Sequence, residues 1–489
     1  MRLSNPTLDR LPATVRRPRY DRSAVTPGIV HLGVGAFHRA HQAVFMDGLV
    51  AAGASDWGII GASLRNPDTR DALAPQDCLY TVAVRSGAGT EIQVIGSLLE
   101  MEVGNENPER LIARMADPAT RIVSLTITEK GYCHTPQTGK LDERHPDIVH
   151  DLRHPQTPRS AAGFLVEALA RRKESGTLPF TILCCDNLSA NGKTAQRIVT
   201  RFAELRSKDL SQWIADEAAF PCTMVDRIVP ETTGVDRAAV SSALGMTDAW
   251  PVITEPFTQW IVEDRFASGR PDFAAAGVQL VSDVTPFEHM KLRLLNAGHS
   301  ALAYLGYLAG YGTIAATMAD PNFAAFAAHV MEDAAVTLKM PAGTDLAAYQ
   351  ASLLARFANP VLHHRTWQIA MDGSQKLPQR LLSAMQDRLQ RGLPINTHAL
   401  AVAGWMRYVT ARDEQGKDID VRDPIAAKLA AIAQEAGPVA ERLAPALLAV
   451  ESLFGTLGSD PRVVSVVTSA LAQLYRLGAR QLLAEQAMP

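Results

Sequence analysis

The sequence predicts an α/β N-terminal domain over residues 1–285 and a mainly α-helical C-terminal domain over residues 286–489. In the first part, short β-branched runs alternate with helical patterns, which is typical of βαβ units around a mostly parallel sheet. From about Pro286 onward, strand-like runs almost vanish, and alanine- and leucine-rich helical periods dominate. A chain of 489 residues is long enough for two large domains of these kinds.

Six short apolar runs predict the strands of the first domain. They lie at residues 28–33, 57–61, 79–84, 91–95, 121–128 and 180–185. The third and fourth runs flank a Ser-Gly-Ala-Gly turn, which favours an antiparallel pair. Helical patterns are predicted through residues 40–49 and 160–173. Residues 133–158 are rich in proline, histidine and charge, so we predict a surface excursion there.

The second domain is predicted from long helical periods. They cover residues 323–338, 345–357, 377–391, 425–435 and 463–483. One stretch, residues 296–318, contains no Asp, Glu, Lys or Arg and approaches the length of a membrane span. It also contains Asn296, His299, three tyrosines and four glycines, which suits a buried helix in a helical core. We therefore expect no membrane association.

Composition narrows the function classes further. The 48 Lys and Arg residues nearly balance 51 Asp and Glu, for a net charge of −3, which argues against nucleic-acid and membrane-surface binding. The 5 cysteines are odd in number, and none forms a CxxC pair. This excludes a disulfide framework and a clustered zinc site, and it favours a reducing cytoplasm. A globular cytoplasmic enzyme is the expectation.

A glycine motif, Gly33-Val-Gly35-Ala-Phe37-His38, lies directly after the first predicted strand and before a helix. A dinucleotide pyrophosphate binds in this context, against backbone N–H groups and the positive end of a helix. The third glycine of the usual fingerprint is missing, because His38 stands in its place. Ordinary turn glycines explain a lone GxG equally well, but the strand–turn–helix context favours a cofactor site that includes Arg39.

Two further strand ends are expected at the cofactor. Thr128, Glu129 and Gly131 follow a strong buried strand, beside the predicted glycine turn. After the second strand, Asp68 is placed to bind the ribose hydroxyls, which would favour NAD. Arg65 is equally placed to accept a 2′-phosphate, which would favour NADP. The sequence leaves this choice open.

A second group of polar residues lies in the stretch that begins the helical domain. At about 100° per residue, Glu288, Lys291 and His299 fall within roughly 80° of one another, with Asn296 at the edge of that face. Such groups on a largely apolar helix are costly to bury without a purpose. One interpretation is a polar network between domains. The other is a catalytic lysine whose pKa burial lowers, so that the amine takes a proton from an alcohol.

Asn187 follows the strand at residues 180–185, in the sequence Cys-Asp-Asn. The carboxyl ends of parallel strands line the ligand crevice, so Asn187 is placed to donate a hydrogen bond to a substrate oxygen. With Asn296 it would complete an oxyanion site. Read alone, an Asp-Asn pair after a strand is more often a turn or a helix cap.

Seven motifs run in order along almost the whole chain. They are GVGAFHRAHQ (33–42), TITEKGY (126–132), CDN (185–187), FPCTMVDRIVP (220–230), EPFTQW (255–260), PFEHMKLRLLNAGHS (286–300) and DGSQKLP (372–378). Together they resemble the long-chain polyol dehydrogenase family, which includes mannitol 2-dehydrogenase and fructuronate reductase. The resemblance implies a Rossmann-type N-terminal domain with a mainly helical C-terminal domain. It also implies a zinc-independent, NAD(P)-dependent enzyme that interconverts a secondary alcohol and a ketone.

The resemblance also carries roles onto individual residues. It makes Lys291 the general base, with Glu288 as a proton relay to solvent. It makes Asn187 and Asn296 the pair that holds the developing alkoxide. His299 and Asp226 become contacts to substrate hydroxyls.

Substrate choice depends on the stretch around the DGS motif. Mannitol dehydrogenases can carry an arginine that contacts the polyol where this chain has Gln368. This stretch resembles the ketouronate reductases more, and Arg365, Lys376 and Arg380 are candidate cations for a uronate carboxylate. The N-terminal lead and the residues before EPF instead resemble mannitol dehydrogenase. We expect a mannitol/fructose-type enzyme using NAD, with a fructuronate reductase that forms mannonate as the alternative.

Two other hypotheses concern a non-enzymatic function and a metal site. A cofactor-binding sugar sensor without turnover is possible, but it does not need a buried base such as Lys291. Histidines of the 133–158 excursion, including His150 and His154, suggest a metal, but we interpret them as solvated loop residues and expect no metal site. The oligomeric state is not predicted, because no heptad seam demands a partner.

Overall fold

A computed structural model describes residues 1–135, 138–362 and 364–486. The chain forms two compact units, Met1–Thr285 and a second unit from Pro286 onward. All strands in the described residues belong to the first unit. They are β1 (Val15–Arg16), β2 (Pro27–Leu32), β3 (Gly58–Ser63), β4 (Tyr80–Ser86), β5 (Gly89–Ile95), β6 (Leu98–Val103), β7 (Ile122–Leu125), β8 (His134–Thr135), β9 (Lys140–Leu141), β10 (Thr181–Cys184), β11 (Thr223–Asp226), β12 (Val252–Thr254), β13 (Gln259–Glu263) and β14 (Gln279–Val281).

Five parallel strands form the central sheet, in the order β10-β7-β2-β3-β6. The first strand of this sheet lies in the middle, and the chain winds outward to each side of it. This is the doubly wound order, in which ligands bind where the winding reverses. Along β2, Val30 and Leu32 face one apolar core and Ile29 faces another, as the alternation of a strand buried on both sides requires.

The sheet's edge strand β6 is absent from the sequence prediction. Its sequence, Leu-Leu-Glu-Met-Glu-Val, places two acidic residues in a short run, which obscures the apolar pattern. In the fold these carboxylates meet arginines of the following helix. Arg114 pairs with Glu100 at 2.5 Å, and Arg110 pairs with Glu102 at 2.6 Å. The six predicted runs correspond to β2, β3, β4, β5, β7 and β10.

Three smaller sheets complete the first unit. One has the order β1-β5-β4-β12 and contains the predicted antiparallel pair β4–β5. A second has the order β11-β13-β14, and the third is the hairpin β8–β9. The helices of this unit are α1 (Ala36–Ala40), α2 (Gln42–Ala51), α3 (Asp68–Leu73), α4 (Pro108–Ala116), α5 (Pro146–Arg153), α6 (Ala161–Ser175), α7 (Asn191–Arg206), α8 (Lys208–Glu217) and α9 (Gly234–Leu244).

The predicted surface excursion at residues 133–158 is more ordered than expected. It contains the hairpin β8–β9 and the helix α5. Asp151 of α5 is buried, and its carboxylate accepts hydrogen bonds from the backbone N–H groups of Arg159 and Ser160, both at 2.8 Å. These bonds fasten α5 to the start of α6. The proline of this segment, Pro146, marks the first turn of α5, where its missing N–H costs nothing.

The second unit is helical, which confirms the predicted fold class. Its helices are α10 (Thr285–Met290, which begins at the boundary), α11 (Ala297–Leu308), α12 (Ile314–Met318), α13 (Pro321–Ala335), α14 (Leu346–Phe357), α15 (Thr366–Ala370), α16 (Gly373–Leu377), α17 (Ser383–Gln390), α18 (Asn396–Tyr408), α19 (Ala426–Ala436), α20 (Ala440–Leu448), α21 (Glu451–Phe454) and α22 (Pro461–Gln486). Helices α11, α18 and α22 pack together, and Trp405 of α18 is buried. In the described part of the chain, no helix has the length and apolarity to cross a membrane.

Two segments of the second unit are π-helical. The first π turn, Lys291–Asn296, joins α10 to α11, and the second π turn, Pro378–Leu382, joins α16 to α17. The two π turns pack against each other. π-helical turns are rare and occur frequently at functional sites, so their position singles out this part of the helical unit.

Candidate active site

The glycine turn after β2 is tied to the strands on both sides. The Gly33 N–H donates to the Ala62 carbonyl of β3 at 2.8 Å, and the Thr126 hydroxyl donates to the Gly33 carbonyl at 2.7 Å. Gly33 has a φ of +95°, and a Cβ there would lie 2.1 Å from the Thr126 carbonyl oxygen. Only glycine fits this position.

Gly35 has a different role from Gly33. Its backbone is extended, it is exposed, and a Cβ there would meet nothing nearer than the Gly33 carbonyl oxygen at 3.9 Å. The helix α1 begins at the next residue, and the first N–H groups of a helix have no acceptor within it. Open space beside such N–H groups suits a phosphate group. The turn therefore fits a dinucleotide pyrophosphate.

The side chains that follow the turn pack into the protein. The rings of His38 and His31 stack at 3.5 Å, and burial holds the pKa of His38 well below its usual value. Phe37 stacks on His41 at 5.0 Å. The Arg39 guanidinium donates to the Trp250 carbonyl, so this cation is used inside the fold. Where one helix was expected, the backbone breaks at His41 between α1 and α2.

The loop after β7 is held by a residue that the sequence analysis did not single out. The half-buried Asp186 carboxylate accepts the backbone N–H groups of Ile127 at 3.0 Å and Thr128 at 2.9 Å, and also the Tyr132 hydroxyl at 2.7 Å. Burial raises the pKa of Asp186, and these donors oppose that shift. Thr128 has a φ of +61°, a strained conformation for a β-branched residue. Asp186 therefore fixes the conformation of this loop.

Within the loop, the remaining predicted cofactor residues take different positions. Glu129 is exposed and begins a 3₁₀ turn that runs to Tyr132. A Cβ on Gly131 would lie 2.9 Å from Cβ of Ile127, so glycine is needed there for packing within the loop.

Asn187 is exposed beyond the end of β10. Asp226 ends β11 and is buried.

The end of β3 carries both candidates for ribose recognition. Asp68 begins α3 and is exposed, and its backbone N–H donates to the Asn66 side chain at 2.8 Å. Arg65 is also exposed, with its guanidinium donating to the Asp147 carboxylate of α5. The cation that was considered for a 2′-phosphate is therefore paired with an acid.

In the helical unit, the first π turn begins at Lys291 and ends at Asn296. Lys291 is buried, with 8% of its surface exposed, and Asn296 and Glu288 are half-buried. A π-helix bonds residue i to i+5, so the expected spacing of about 100° per residue does not hold across these residues. The prediction of a regular α-helical face was wrong here. The burial of an amine within a largely apolar segment remains.

His299 and Arg380 lie next to the first π turn. The His299 ring stacks on Phe357 at 4.1 Å, and burial holds its pKa well below the usual value, so the ring is neutral. Arg380, on the second π turn, donates to the Ser300 hydroxyl at 3.1 Å and to the Asn296 carbonyl at 3.5 Å. Burial lowers the pKa of Arg380 to about 10, which leaves it a cation at neutral pH.

The other predicted substrate residues are Lys376, Arg365 and Gln368. The Lys376 ammonium donates to the carbonyls of Met371 at 2.5 Å and Ile369 at 3.3 Å, and so caps the short helix α15. Arg365 is exposed and precedes α15, and its backbone pairs with Thr313. Gln368 is exposed on α15.

The excursion brings together three groups able to bind a metal. One ligand atom from each of Cys133, His145 and Asp147 lies within 4.8 Å of the others. These atoms already have other roles. Burial raises the pKa of the Cys133 thiol to about 11, so the thiol keeps its proton at neutral pH. His145 Nδ1 accepts the Asp147 N–H at 3.2 Å, and the Asp147 carboxylate accepts from Arg65. Of the histidines predicted to be solvated loop residues, His150 lies in α5, His145 and His154 cap it, and His134 lies in β8.

Both units match one protein family. Residues 27–275 match the mannitol dehydrogenase Rossmann domain, and residues 283–475 match the mannitol dehydrogenase C-terminal domain. The chain belongs to the mannitol dehydrogenase family. It is therefore an oxidoreductase that acts on a CH–OH group, and the predicted resemblance is confirmed.

Individual relatives span the whole chain. A D-mannonate oxidoreductase of Escherichia coli is 48% identical over 96% of this chain and 98% of its own length. A mannitol 2-dehydrogenase of Aspergillus fumigatus is 42% identical over 95% of this chain and 94% of its own. The structure of Pseudomonas fluorescens mannitol 2-dehydrogenase, solved with NAD and D-mannitol, matches over 100% of both chains, with 38% identity and a TM-score of 0.88.

Proposed function

We propose that this chain is an NAD-dependent polyol 2-dehydrogenase that interconverts a sugar alcohol and a ketose of the mannitol/fructose type. One observation carries the proposal: the chain matches, end to end, a mannitol 2-dehydrogenase solved with NAD and D-mannitol. The buried Lys291 at a π turn supports it, because a base in a largely apolar segment is costly unless it has a task.

The glycine turn and the loop after β7 would hold the cofactor. Gly35 leaves room for the pyrophosphate beside the first N–H groups of α1, and Asp68 is an exposed carboxylate at the strand end where ribose hydroxyls are bound. When bound, NAD supplies the hydride acceptor. Asp186 contributes by holding the loop at Thr128 in one conformation.

The proton path is assigned to the first π turn and its neighbours. Lys291, as the neutral amine, takes the proton of the substrate hydroxyl, and half-buried Glu288 passes it toward solvent. Asn296 and Asn187 donate hydrogen bonds to the oxygen that becomes a carbonyl. His299 and Asp226 orient the substrate hydroxyls. No metal is needed in this scheme, because the amine removes the proton directly.

A ketouronate reductase, acting on fructuronate, is the second candidate. It is favoured by the 48% identity to a D-mannonate oxidoreductase. Arg380 is the cation best placed for a carboxylate, since it is half-buried and lies at the first π turn. Lys376 is less suited, because its ammonium binds two backbone carbonyls. We favour the neutral polyol because two of the three candidate cations, Lys376 and Arg380, already donate to backbone carbonyls.

The decisive experiment measures NADH oxidation with fructose and with fructuronate, and repeats both with NADPH. We expect a higher kcat/KM for fructose, with NADH preferred. We also expect full activity after dialysis against a chelator. A preference for fructuronate would establish the second candidate, and activity lost on chelation and restored by zinc would refute the metal-free scheme. NADH binding without turnover of either sugar would indicate a sensor.

A further inference from the structure

An ion pair at the end of β3 bears on which dinucleotide the chain accepts. Arg65 lies two residues beyond the last residue of β3, Ser63. This strand end is hydrogen-bonded to the glycine turn, because the Gly33 N–H donates to the Ala62 carbonyl. In doubly wound folds, a carboxylate at this place binds the ribose 2′-hydroxyl, whereas an arginine accommodates a 2′-phosphate. The state of Arg65 therefore matters for cofactor choice.

The partner of Arg65 comes from a distant part of the chain. Its guanidinium donates to the carboxylate of Asp147, in the first turn of α5. The Arg65 side chain is 68% exposed, whereas that of Asp147 is only 15% exposed. Asp147 is thus the more enclosed member of the pair and Arg65 the more exposed one.

The helix that carries Asp147 is firmly anchored. His145 caps its first turn, and buried Asp151 binds it to the start of α6 through two backbone N–H groups. A 2′-phosphate at the end of β3 would have to take Arg65 from this carboxylate. It would also meet the negative charge of Asp147, and like charges repel most where solvent screening is weak.

We propose that Asp147 is a specificity-determining residue that disfavours NADP by holding Arg65 in an ion pair. The inference rests on the proposed function, since it concerns the adenosine end of the same cofactor site. It assigns the choice between NAD and NADP to a residue on α5, outside the glycine motif and outside the β3 strand end itself. Asp147 acts through Arg65 and is a positioning residue.

The test is a direct titration of the full chain with NADH and with NADPH in the absence of substrate. The fluorescence of the nucleotide reports binding and gives Kd. The variants are Asp147→Asn, Asp147→Asn with Arg65→Gln, and a control, Glu143→Gln. Glu143 lies in the same excursion and also pairs with an arginine, Arg201, at 2.8 Å. Circular dichroism checks the fold of each variant, and Asp147→Ser replaces Asp147→Asn if the latter does not fold.

We expect Asp147→Asn to lower the ratio of Kd for NADPH to Kd for NADH by about 10- to 100-fold, the value of a hydrogen bond to a charged group. Arg65→Gln in the same chain should cancel this gain, and Glu143→Gln should leave the ratio as in wild type. Two results would overturn the inference. One is a Kd ratio within about threefold of wild type in Asp147→Asn, and the other is a lowered ratio that persists in the double variant without Arg65.

The same titration separates this inference from the proposed function. A wild-type chain that binds neither nucleotide would refute the proposed function. A wild-type chain that binds NADH, with an unchanged ratio in Asp147→Asn, would refute only the role of Asp147. A wild-type preference for NADPH would also contradict that role.

Discussion

Lys291 is the residue on which the proposed chemistry depends most. Its side chain is almost fully buried, at the first position of a π turn in a largely apolar segment. A general base typically contributes about 10²- to 10⁴-fold to the rate. We expect Lys291→Ala to lower kcat at least that much and to leave NADH binding nearly unchanged, because the lysine is assigned to the substrate and not to the nucleotide.

The matched control for Lys291 is Lys339→Ala, which removes an exposed lysine of the same unit. Its kcat should equal that of wild type. Stopped-flow measurement of NADH oxidation with saturating ketose gives kcat, and fluorescence titration gives the Kd of NADH. Turnover retained in Lys291→Ala would show that another group accepts the proton.

At the scale of elements, the loop between β7 and the 3₁₀ turn at Glu129–Tyr132 depends on the neighbouring strand end. The Asp186 carboxylate accepts two backbone N–H groups and one hydroxyl, and it maintains Thr128 at positive φ. Asp186→Asn replaces one acceptor oxygen by an NH₂ group. An N–H group then faces a donor, at a cost of about 1–3 kcal/mol.

We therefore expect Asp186→Asn to lower the free energy of unfolding by that amount and to raise the KM for NADH. Urea titration and steady-state kinetics measure the two effects. Tyr132→Phe is the control, since it removes only the hydroxyl donor and leaves both N–H bonds, so its KM should change less. Equal KM values in Asp186→Asn and wild type would mean that this loop does not contact the cofactor.

Other elements show where sequence periodicity reaches its limit. The parallel strands were predictable because β2, β7 and β10 are mostly apolar and uncharged at pH 7, as strands buried on both sides require. The edge strand β6 was missed because its acidic residues are neutralised by arginines of α4, a tertiary effect. The π turn was missed because its i→i+5 bonds leave no mark in an apolar helical pattern.

At the scale of the whole molecule, the sequence indicated residue types for the site but not their partners. The glycine turn and Lys291 follow from local patterns. The ties of Asp186 to Thr128 and of Asp147 to Arg65 join residues 58 and 82 positions apart, so no local pattern reveals them. Arg39 and Lys376 illustrate the reverse case, since cations that suited a ligand serve the fold. Long-range hydrogen bonds therefore decide which polar residues remain for function.

Buried histidines in both units give the whole chain a common response to acid. Burial lowers the pKa of His31 to about 3 and that of His398 to about 4, and it holds those of His38 and His299 well below the usual value of 6.5. The unfolded chain binds protons at these residues below pH 6.5, whereas the folded chain does not. Stability is therefore highest above pH 6.5 and falls as the pH decreases toward the folded-state values.

His398 provides the sharpest test of this linkage. Within the described residues, neither of its ring nitrogens has a hydrogen-bond partner. Between pH 7.5 and 5.5, one such histidine should cost about 1.4 kcal/mol of unfolding free energy. We expect His398→Leu to reduce the loss measured by urea titration by that amount, while His329→Gln, at an exposed position of the same unit, leaves it unchanged. An equal loss in His398→Leu and wild type would show that His398 binds protons equally in the folded and unfolded chain, so that other groups cause the acid response.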